Sequence, residues 1–447
     1  METNMIEKLE SNLDSFNPEV RYTALEKLIE MVHSGQITLP PAGRDVNLHC
    51  HTFFSYNTYG YSPCKYAWLA RRAGLAVAGI VDFDVLEGLE EFFRAARLLN
   101  LKACVGMETR VFVPEFADKE ITSPGEPGIT YHMGMGFPDT PFPVSQQKFA
   151  GQLYETAQKR NRELMQRVNE YLAPVCLDFE KDVLSLTPAK NPTERHICVA
   201  FARKAQKIFS DKQELRDYWA AKLSSDADSF ADSLPEGREI LNLVRARTMK
   251  RGGVGYIKPD QGSFPSMAQA NAFILASGGI PTHTWLNGAS DGEKDMESLL
   301  RVTMSAGVAA LNIIPDRNYT EGKNDEKLRC LYQVVELAEK LHLPVIVGTE
   351  MNGPGQKFVD SFDTKELSPL LPVFLKGAHI VYAHSVLQSQ NGLGYISDWA
   401  NENFIDTEAK NRFFKDIGEN LQPQQQDCLK DLDENSTPEQ ILEKVKP

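Results

Sequence analysis

From residue 44 onward, the chain alternates short apolar runs with stretches of helical periodicity, and this alternation limits the folds available to it. The strand-like runs are 46–50, 77–81, 103–107, 279–282, 309–313, 345–347 and 380–383. Helical spacing is found at 63–73, 86–99, 267–276, 297–306 and 325–341. Strand–helix alternation predicts a parallel sheet, and this number of repeats favours a closed barrel.

The remaining segments predict additions to the barrel. Residues 1–43 have the pattern of an N-terminal helical extension that ends at a Pro-Pro-Ala-Gly sequence. The barrel would then comprise 44–150 and 251–396, interrupted by a mostly helical insertion or cap at 151–250. Residues 397–447 form a predicted C-terminal helical tail.

The charge balance excludes some partners. Asp and Glu number 61 and Lys and Arg 48, so the net charge is −13. Duplex nucleic acid and anionic membranes are therefore not expected as partners, because both need positive charge to neutralise phosphates. A local basic pocket for one small anion remains compatible with this composition. The sequence leaves the oligomeric state open.

Cysteine usage and the N-terminus predict a cytoplasmic protein. The seven cysteines are scattered with no C-x-x-C pair, which is typical of reduced thiols. The first residues lack the basic and apolar regions of a secretory signal. No run of 18 or more apolar residues suggests a membrane span.

An H-x-H pair in the first predicted strand is a candidate metal site. Alternate residues of a strand share a face, so Asn47, His49 and His51 point one way. The two imidazoles would lie ~6–7 Å apart along the strand, a spacing that suits chelation of one cation. H-x-H alone is weak, and a hydrogen-bonded structural pair is the alternative.

Other polar residues end further predicted strands. They are Asp82, Glu108, His283 and Glu350. Barrel enzymes place their sites at the carboxyl ends of parallel strands. Several such residues at equivalent ends predict a shared site. We expect Asp82 to accept a hydrogen bond behind the ligands rather than to bind metal itself.

Seven segments resemble, in order, the motifs of the polymerase-and-histidinol-phosphatase (PHP) superfamily, most closely its small-molecule phosphoesterase branch. The segments are 47–55 (NLHCHTFFS), 79–84 (GIVDFD), 105–108 (VGME), 131–137 (YHMGMGF), 193–197 (TERHI), 278–283 (GGIPTH) and 348–353 (GTEMNG). They span roughly residues 44–360. The resemblance implies an α/β fold, a distorted (β/α)7 TIM-like barrel with two or three divalent metals in its mouth.

The departures from the family pattern favour two metals over three. Tyr56, Phe83 and Asn352 stand where the family has an Asp and two His, and those lost groups would hold one particular metal. The resemblance leaves two ligand sets, His49, His51, Glu108 and Glu350, and Glu108, His132 and His283, with Glu108 bridging. Imidazole and carboxylate ligands fit Zn, Mn or Fe better than Ca or Mg.

Cationic side chains could substitute for part of the missing metal charge. The candidates are Arg195, Lys258 and Arg317, and Arg195 and His196 lie in a segment that resembles a substrate-phosphate contact. His196 could instead begin a helix after Thr193. His384 is expected to be a hydrogen-bonded histidine rather than an extra ligand.

These observations predict a metal-dependent phosphoesterase that acts on a small anionic, phosphorylated substrate, with metal-bound hydroxide as the nucleophile. Two alternatives remain at this stage. The same metal chemistry could hydrolyse an amide or ester, or the chain could be a metal- or ligand-binding protein whose catalysis has decayed. The phosphate preference rests on the family analogy alone.

Overall fold

A computed structural model describes residues 2–259 and 262–446, and its centre is one seven-stranded sheet. The strands are β1 (Val46–Cys50), β2 (Val77–Phe83), β3 (Ala103–Phe112), β4 (Ile129–Met135), β5 (Ile280–Trp285), β6 (Ala310–Ile313) and β7 (Val345–Val347). They are neighbours in chain order. All adjacent pairs are parallel except those that β4 makes with β3 and β5, which are antiparallel.

The sheet curves until its last strand meets its first. Just beyond β7, the Glu350 backbone N–H donates to the His49 carbonyl at 2.7 Å, and the His51 N–H donates to the Glu350 carbonyl at 2.8 Å. These bonds join the two edges beside the bridge between Cys50 and Glu350. The predicted distorted TIM-like barrel is confirmed.

Helices surround this barrel and cover its ends. They are α1 (Glu2–Asn12), α2 (Pro18–His33), α3 (Pro63–Ala73), α4 (Leu89–Leu99), α5 (Val144–Leu172), α6 (Glu194–Ile208), α7 (Lys212–Leu223), α8 (Arg238–Thr248), α9 (Met267–Ala276), α10 (Asp291–Lys294), α11 (Met296–Ser305), α12 (Glu326–Lys340), α13 (Leu371–Asn391), α14 (Asp398–Asn403), α15 (Thr407–Asn420) and α16 (Pro438–Val445). The five helices predicted between strands correspond to α3, α4, α9, α11 and α12. None of the described helices combines the length and apolarity needed to cross a bilayer.

Local sequence explains where these helices begin and end. Ser62 caps α3 by accepting from the Lys65 N–H, Pro63 opens the helix, and Gly74 ends it at a φ of 71°. Helix α9 begins with a reciprocal Ser266–Gln269 capping box. These caps are local signals that agree with the helical spacing of the sequence.

The predicted strand at 380–383 is wrong. These residues lie within α13, whose residues from Gly377 to Leu387 are all buried. A helix buried on all sides has an apolar run that periodicity cannot distinguish from a strand. At Gly377, α13 contacts β7 so closely that a β-carbon would lie 1.9 Å from the Val345 carbonyl oxygen.

The sheet still has seven strands because it contains β4, which the sequence did not predict, instead of the predicted strand at 380–383. Strand β4 was missed because its sequence, ITYHMGM, contains glycine and polar residues and has no continuous apolar run. It also runs antiparallel to its neighbours, which strand–helix alternation does not predict.

Four long helices, α5 to α8, lie between β4 and β5 and have an apolar core of their own. Val168, Phe201, Trp219 and Ile240 are among its fully buried members. The predicted boundaries of this insertion remain a prediction. The α5 helix begins at Val144, ahead of the expected start at 151.

Strand alternation gives the barrel two faces that matter for the site. On β3, Ala103, Val105 and Met107 pack in one apolar cluster with residues of α3 and α4, so they form the outer face. Glu108 follows Met107 and therefore faces the barrel interior.

Candidate metal centre

Strand β1 brings His49 and His51 to the interior of the barrel, beside Glu108 of β3. All three side chains are buried, with residue exposures of 0%, 0% and 2%. The two Nε2 atoms are 3.4 Å apart, and Glu108 Oε2 lies 3.6 Å from that of His49 and 3.2 Å from that of His51. Among the described residues, this is the one group of three or more potential ligands that converges on a point.

These spacings fit a bound cation. Zinc bonds to nitrogen and oxygen are about 2.0–2.1 Å long, so the ligand atoms of a tetrahedral site are about 3.3–3.4 Å apart. The three observed separations lie around that value. The chemistry also fits, because imidazole and carboxylate ligands suit Zn, Mn and Fe.

Hydrogen bonds behind His51 select the tautomer that a metal ligand needs. Ser55 Oγ donates to Asp82 Oδ1 at 2.6 Å, so its lone pair is available to accept from His51 Nδ1 at 3.1 Å. A neutral His51 then carries its proton on Nδ1 and its lone pair on Nε2, facing Glu108.

Asp82 is fixed in turn by the loop after β1. Its two oxygens accept from the Thr52 backbone N–H at 2.8 Å and the Thr52 hydroxyl at 2.6 Å. The structure thus places Asp82 behind His51. Ser55, which connects the two, was not predicted.

Asn312 of β6 lies behind His49. Its Nδ2 is 3.3 Å from His49 Nδ1, while its buried Oδ1 has no partner among the described residues. Rotation of the amide by 180° would let Oδ1 accept from Nδ1–H. His49 Nε2 would then also present a lone pair to the cluster.

The cluster is strongly polarised without any added ion. Burial opposes ionisation of Glu108, but the two imidazoles outweigh it and lower its pKa to about 2. Burial likewise opposes the His49 imidazolium, but the hydrogen bond and charge of Glu108 raise the pKa of this histidine. A carboxylate held in its charged form is the state that binds a cation.

Glu350 lies next to this cluster, but other groups hold it. Its Oε2 accepts from Arg317 Nη2 at 2.6 Å and from Gln356 Nε2 at 2.9 Å. Burial would raise the pKa of Glu350, but the Arg317 guanidinium and then His49 lower it. Glu350 and Met351 both have positive φ, 61° and 53°, which is uncommon outside glycine and marks a strained turn. Glu350 was predicted to be a ligand, but it is not part of the group of ligands that converges among the described residues.

The predicted second ligand set is not assembled. Glu108 pairs in register with Met133, whereas His132 pairs with Thr109 and His283. Paired residues share a face, so His132 and His283 face outward while Glu108 faces inward. The sequence predicted a strand that ends at His283 but not β4, which carries His132, so the faces of the two histidines were not predicted.

The outward histidines face α9. His132 Nε2 lies 2.6 Å from Asn271 Oδ1, and His132 Nδ1 and both nitrogens of His283 have no partner among the described residues. Burial lowers the pKa of His132 to about 4 and that of His283 to about 3. Both rings are therefore neutral near pH 7.

The three residues that depart from the family pattern do not belong to the converging group of ligands. Phe83 stacks on His51 with ring centroids 4.5 Å apart, and Tyr56 meets the His196 ring edge-on at 4.9 Å. Asn352 and Phe83 line the cleft above the cluster. His384 accepts from the Tyr395 N–H at Nδ1 and lies 2.9 Å from the Gly278 carbonyl at Nε2, as a hydrogen-bonded structural histidine does.

A cleft of about 1050 Å³ opens above the cluster, and it is lined from the barrel and from the helices after β4. Arg195 and Arg317 line it, but His196 and Lys258 are not among its lining residues. His196 is buried and forms the capping box of α6 with Thr193, so the alternative interpretation of this histidine applies. Lys258 is exposed to solvent.

Sequence analysis missed other cations in this cleft, of which Arg110 was the most accessible to prediction. It follows Glu108 by two residues and so shares its face. Arg160, Arg245 and Lys250 come from the helical insertion and carried no readable signal, because their charges resemble those of solvated helix faces.

No family model and no curated protein matches the chain. One similar solved structure is an amidohydrolase from Chromobacterium violaceum with bound sulfate and no metal, at 16% identity and a TM-score of 0.47, covering 74% of this chain and 96% of that one. Another is a protein described as a metal-dependent phosphoesterase from Bifidobacterium adolescentis, also at 16% identity and a TM-score of 0.47, covering 75% and 98%. Similarity at this level does not establish the family or the activity of this chain.

Proposed function

We propose that this chain is a metal-dependent hydrolase of a small phosphorylated substrate and that its motifs reflect membership of the PHP superfamily. The observation that carries the proposal is the buried set of His49, His51 and Glu108, whose ligand atoms are 3.2–3.6 Å apart. Because only one such set converges among the described residues, we propose one cation rather than two.

A divalent cation in this set would activate water and stabilise negative charge on a phosphoryl group. The chain's own residues would prepare the ligands. Asp82 and Ser55 hold the His51 proton on Nδ1, away from the cluster. Phe83 covers one face of the His51 ring and limits its movement.

Two arginines that line the cleft support an anionic substrate. Arg317 is held by Glu350 in the cleft wall, and the neighbouring carboxylates raise its pKa, so it stays charged. Arg195 donates to Asn242 Oδ1 at 2.6 Å, and no carboxylate of the described residues forms a salt bridge with it. A guanidinium without a carboxylate partner in this cleft favours an oxyanion over a neutral amide or ester.

The proposal is tested by turnover of a panel of phosphomonoesters, with p-nitrophenyl phosphate and matched amide and carboxyl-ester substrates, after loading with Zn or Mn. We expect phosphate release by the wild type and a fall in kcat/KM of at least about 100-fold in Glu108→Gln. His33→Ala, which removes an exposed histidine, serves as the control and should retain full activity. Bound metal without turnover would instead support the binding-protein alternative, and turnover of amides or carboxyl esters alone would support the other one.

A further inference from the structure

Five cations gather in the cleft beyond the metal centre, and we call them the cap cluster. They are Arg110 of β3, Arg160 of α5, Arg195 of α6, Arg245 of α8, and Lys250 just after α8. Four of the five come from the region between β4 and β5. The chain as a whole carries a net charge of −13, so this concentration of positive charge is local.

Two carboxylates lie among these cations. Glu194 contacts Lys250 at 2.6 Å, Arg245 at 3.1 Å and Arg160 at 3.7 Å. Glu126 accepts from Arg110 at 3.0 Å and lies 3.8 Å from Arg160. A third, Asp84, lines the same cleft and interacts with Arg110. Three carboxylates against five cations still leave an excess of positive charge in the cap cluster.

The hydrogen-bonding capacity of the cap cluster is not used up. Both contacts of Arg160 to carboxylates are longer than a hydrogen bond, and its buried Nε has no partner among the described residues. Arg195 has an amide oxygen as its partner. Burial and the charge of Arg245 lower the pKa of Arg195, which reflects crowding of like charges.

The cap cluster begins close to the metal centre. Arg110 follows Glu108 by two residues on the same face of β3, which separates their α-carbons by about 7 Å. The Phe264 ring lies 4.3 Å from the Arg110 guanidinium and 5.7 Å from that of Arg160. Phe83 and Tyr131 line the cleft as well, and their rings are 6.3 Å apart.

We propose that the cap cluster binds a second oxyanion of the substrate while the first is held at the metal centre. This inference rests on the proposed function for the position of the first group. Guanidinium forks and an ammonium are the groups that bind phosphate and carboxylate, and an excess of partly buried positive charge is stabilised by such an anion. The substrate is then a phosphate ester with a phosphate or carboxylate at its other end and an aromatic or apolar body that contacts Phe83, Tyr131 and Phe264.

The experiment measures binding, so that it is independent of turnover. Calorimetry on the zinc-loaded full chain compares hexylphosphonate, 6-phosphonohexanoate and hexane-1,6-bisphosphonate. We expect at least one of the two doubly anionic ligands to bind about 10–100-fold more tightly than hexylphosphonate. Preference for the bisphosphonate identifies the second group as phosphate, and preference for the phosphonocarboxylate identifies it as carboxylate.

Two arginines of α5 provide a matched pair of variants. Arg160→Gln should remove at least about 5-fold of the preference, measured as the ratio of the affinities for the doubly anionic ligand and for hexylphosphonate. Arg162→Gln, two residues along, removes an exposed arginine that pairs with Glu180 and should leave the preference intact. Arg160→Lys keeps the charge without the fork and should give an intermediate preference, whether or not Arg160→Gln folds.

Equal affinity of the wild type for the three ligands would overturn the proposal, and this comparison needs no variant. So would an equal loss of preference in Arg160→Gln and Arg162→Gln. If the preference is present but no phosphate ester is hydrolysed, the cap cluster binds its oxyanion as proposed and the proposed function is wrong. If phosphate esters are hydrolysed but the wild type shows no preference for the doubly anionic ligands, the proposed function holds and the cap cluster does not bind a second oxyanion.

Discussion

The two faces of one barrel wall carry two pairs of histidines with opposite environments. On the inner face, His49 and His51 converge with Glu108, and Asp82, Ser55 and Asn312 lie behind them. On the outer face, His132 and His283 are neighbours across β4 and β5, beneath α9, with no carboxylate ligand in a converging group. All four histidines are fully buried.

The comparison shows that burial and strand position alone do not make a metal site. What distinguishes the inner pair is a carboxylate within 3.6 Å of both rings. The outer pair has an acceptor behind one ring, Asn271 Oδ1 on His132, but no carboxylate in a converging group among the described residues. Experiments on matched residues of the two faces can therefore test the interpretation.

The largest effect is expected from removing a ligand. Glu108→Gln keeps the size of the side chain but loses its charge, so affinity for zinc should fall at least about 100-fold. His132→Asn should bind zinc as the wild type does, because its ring faces α9. Competition with a fluorescent chelator measures both affinities. Loss of zinc affinity in His132→Asn would show that the outer face takes part.

A smaller effect is expected from the groups behind the rings. Ser55→Ala removes the acceptor that holds the His51 proton on Nδ1, and zinc affinity should fall about 10–100-fold. The matched variant on the other face is Asn271→Ala, which removes the partner of His132 and should leave zinc affinity unchanged. The same chelator titration applies, and equal losses in the two variants would contradict the assignment of faces.

The outer pair should affect stability instead of metal binding. A neutral His283 buries an N–H without an acceptor among the described residues, so His283→Leu should stabilise the protein by about 1 kcal/mol. Differential scanning fluorimetry without added metal would detect this as a higher melting temperature. A lower melting temperature than the wild type would mean that the ring has a partner or a role in packing.

The same variant should also change the response to acid. Burial lowers the pKa of His283 from 6.5 to about 3, so between these values the unfolded chain binds a proton that the folded chain does not. Stability therefore falls as the pH falls through this window, by about 1.4 kcal/mol per pH unit for one proton. The melting temperature of His283→Leu should drop less than that of the wild type between pH 7 and pH 5. Parallel profiles would contradict the shifted pKa.

The sequence predicted the barrel and its interstrand helices because their signals are local. Caps such as Ser62 and Gly74 and the strand–helix alternation are visible in short windows. The strand at 380–383 was wrong because only tertiary packing distinguishes a fully buried helix from a strand. Strand β4 was missed because its glycines and polar residues hide its pairing.

The site was also predicted only in part. Its local features could be predicted from the sequence, and the features that depend on tertiary packing could not. His49 and His51 share a face within one strand, which alternation reveals, whereas Glu108 lies two strands away on β3 and meets them because the sheet curves. The side of the sheet to which His132 and His283 point depends on the register of β4, which a single sequence does not encode locally. The cations of the insertion depend on tertiary packing alone.

The most direct measurement is an anomalous-difference map from crystals of the full chain grown with zinc or manganese. The account predicts one peak bonded to His49 Nε2, His51 Nε2 and Glu108, with no peak between His132 and His283. A peak at the outer pair, or no peak at the inner set under metal-saturating conditions, would contradict it.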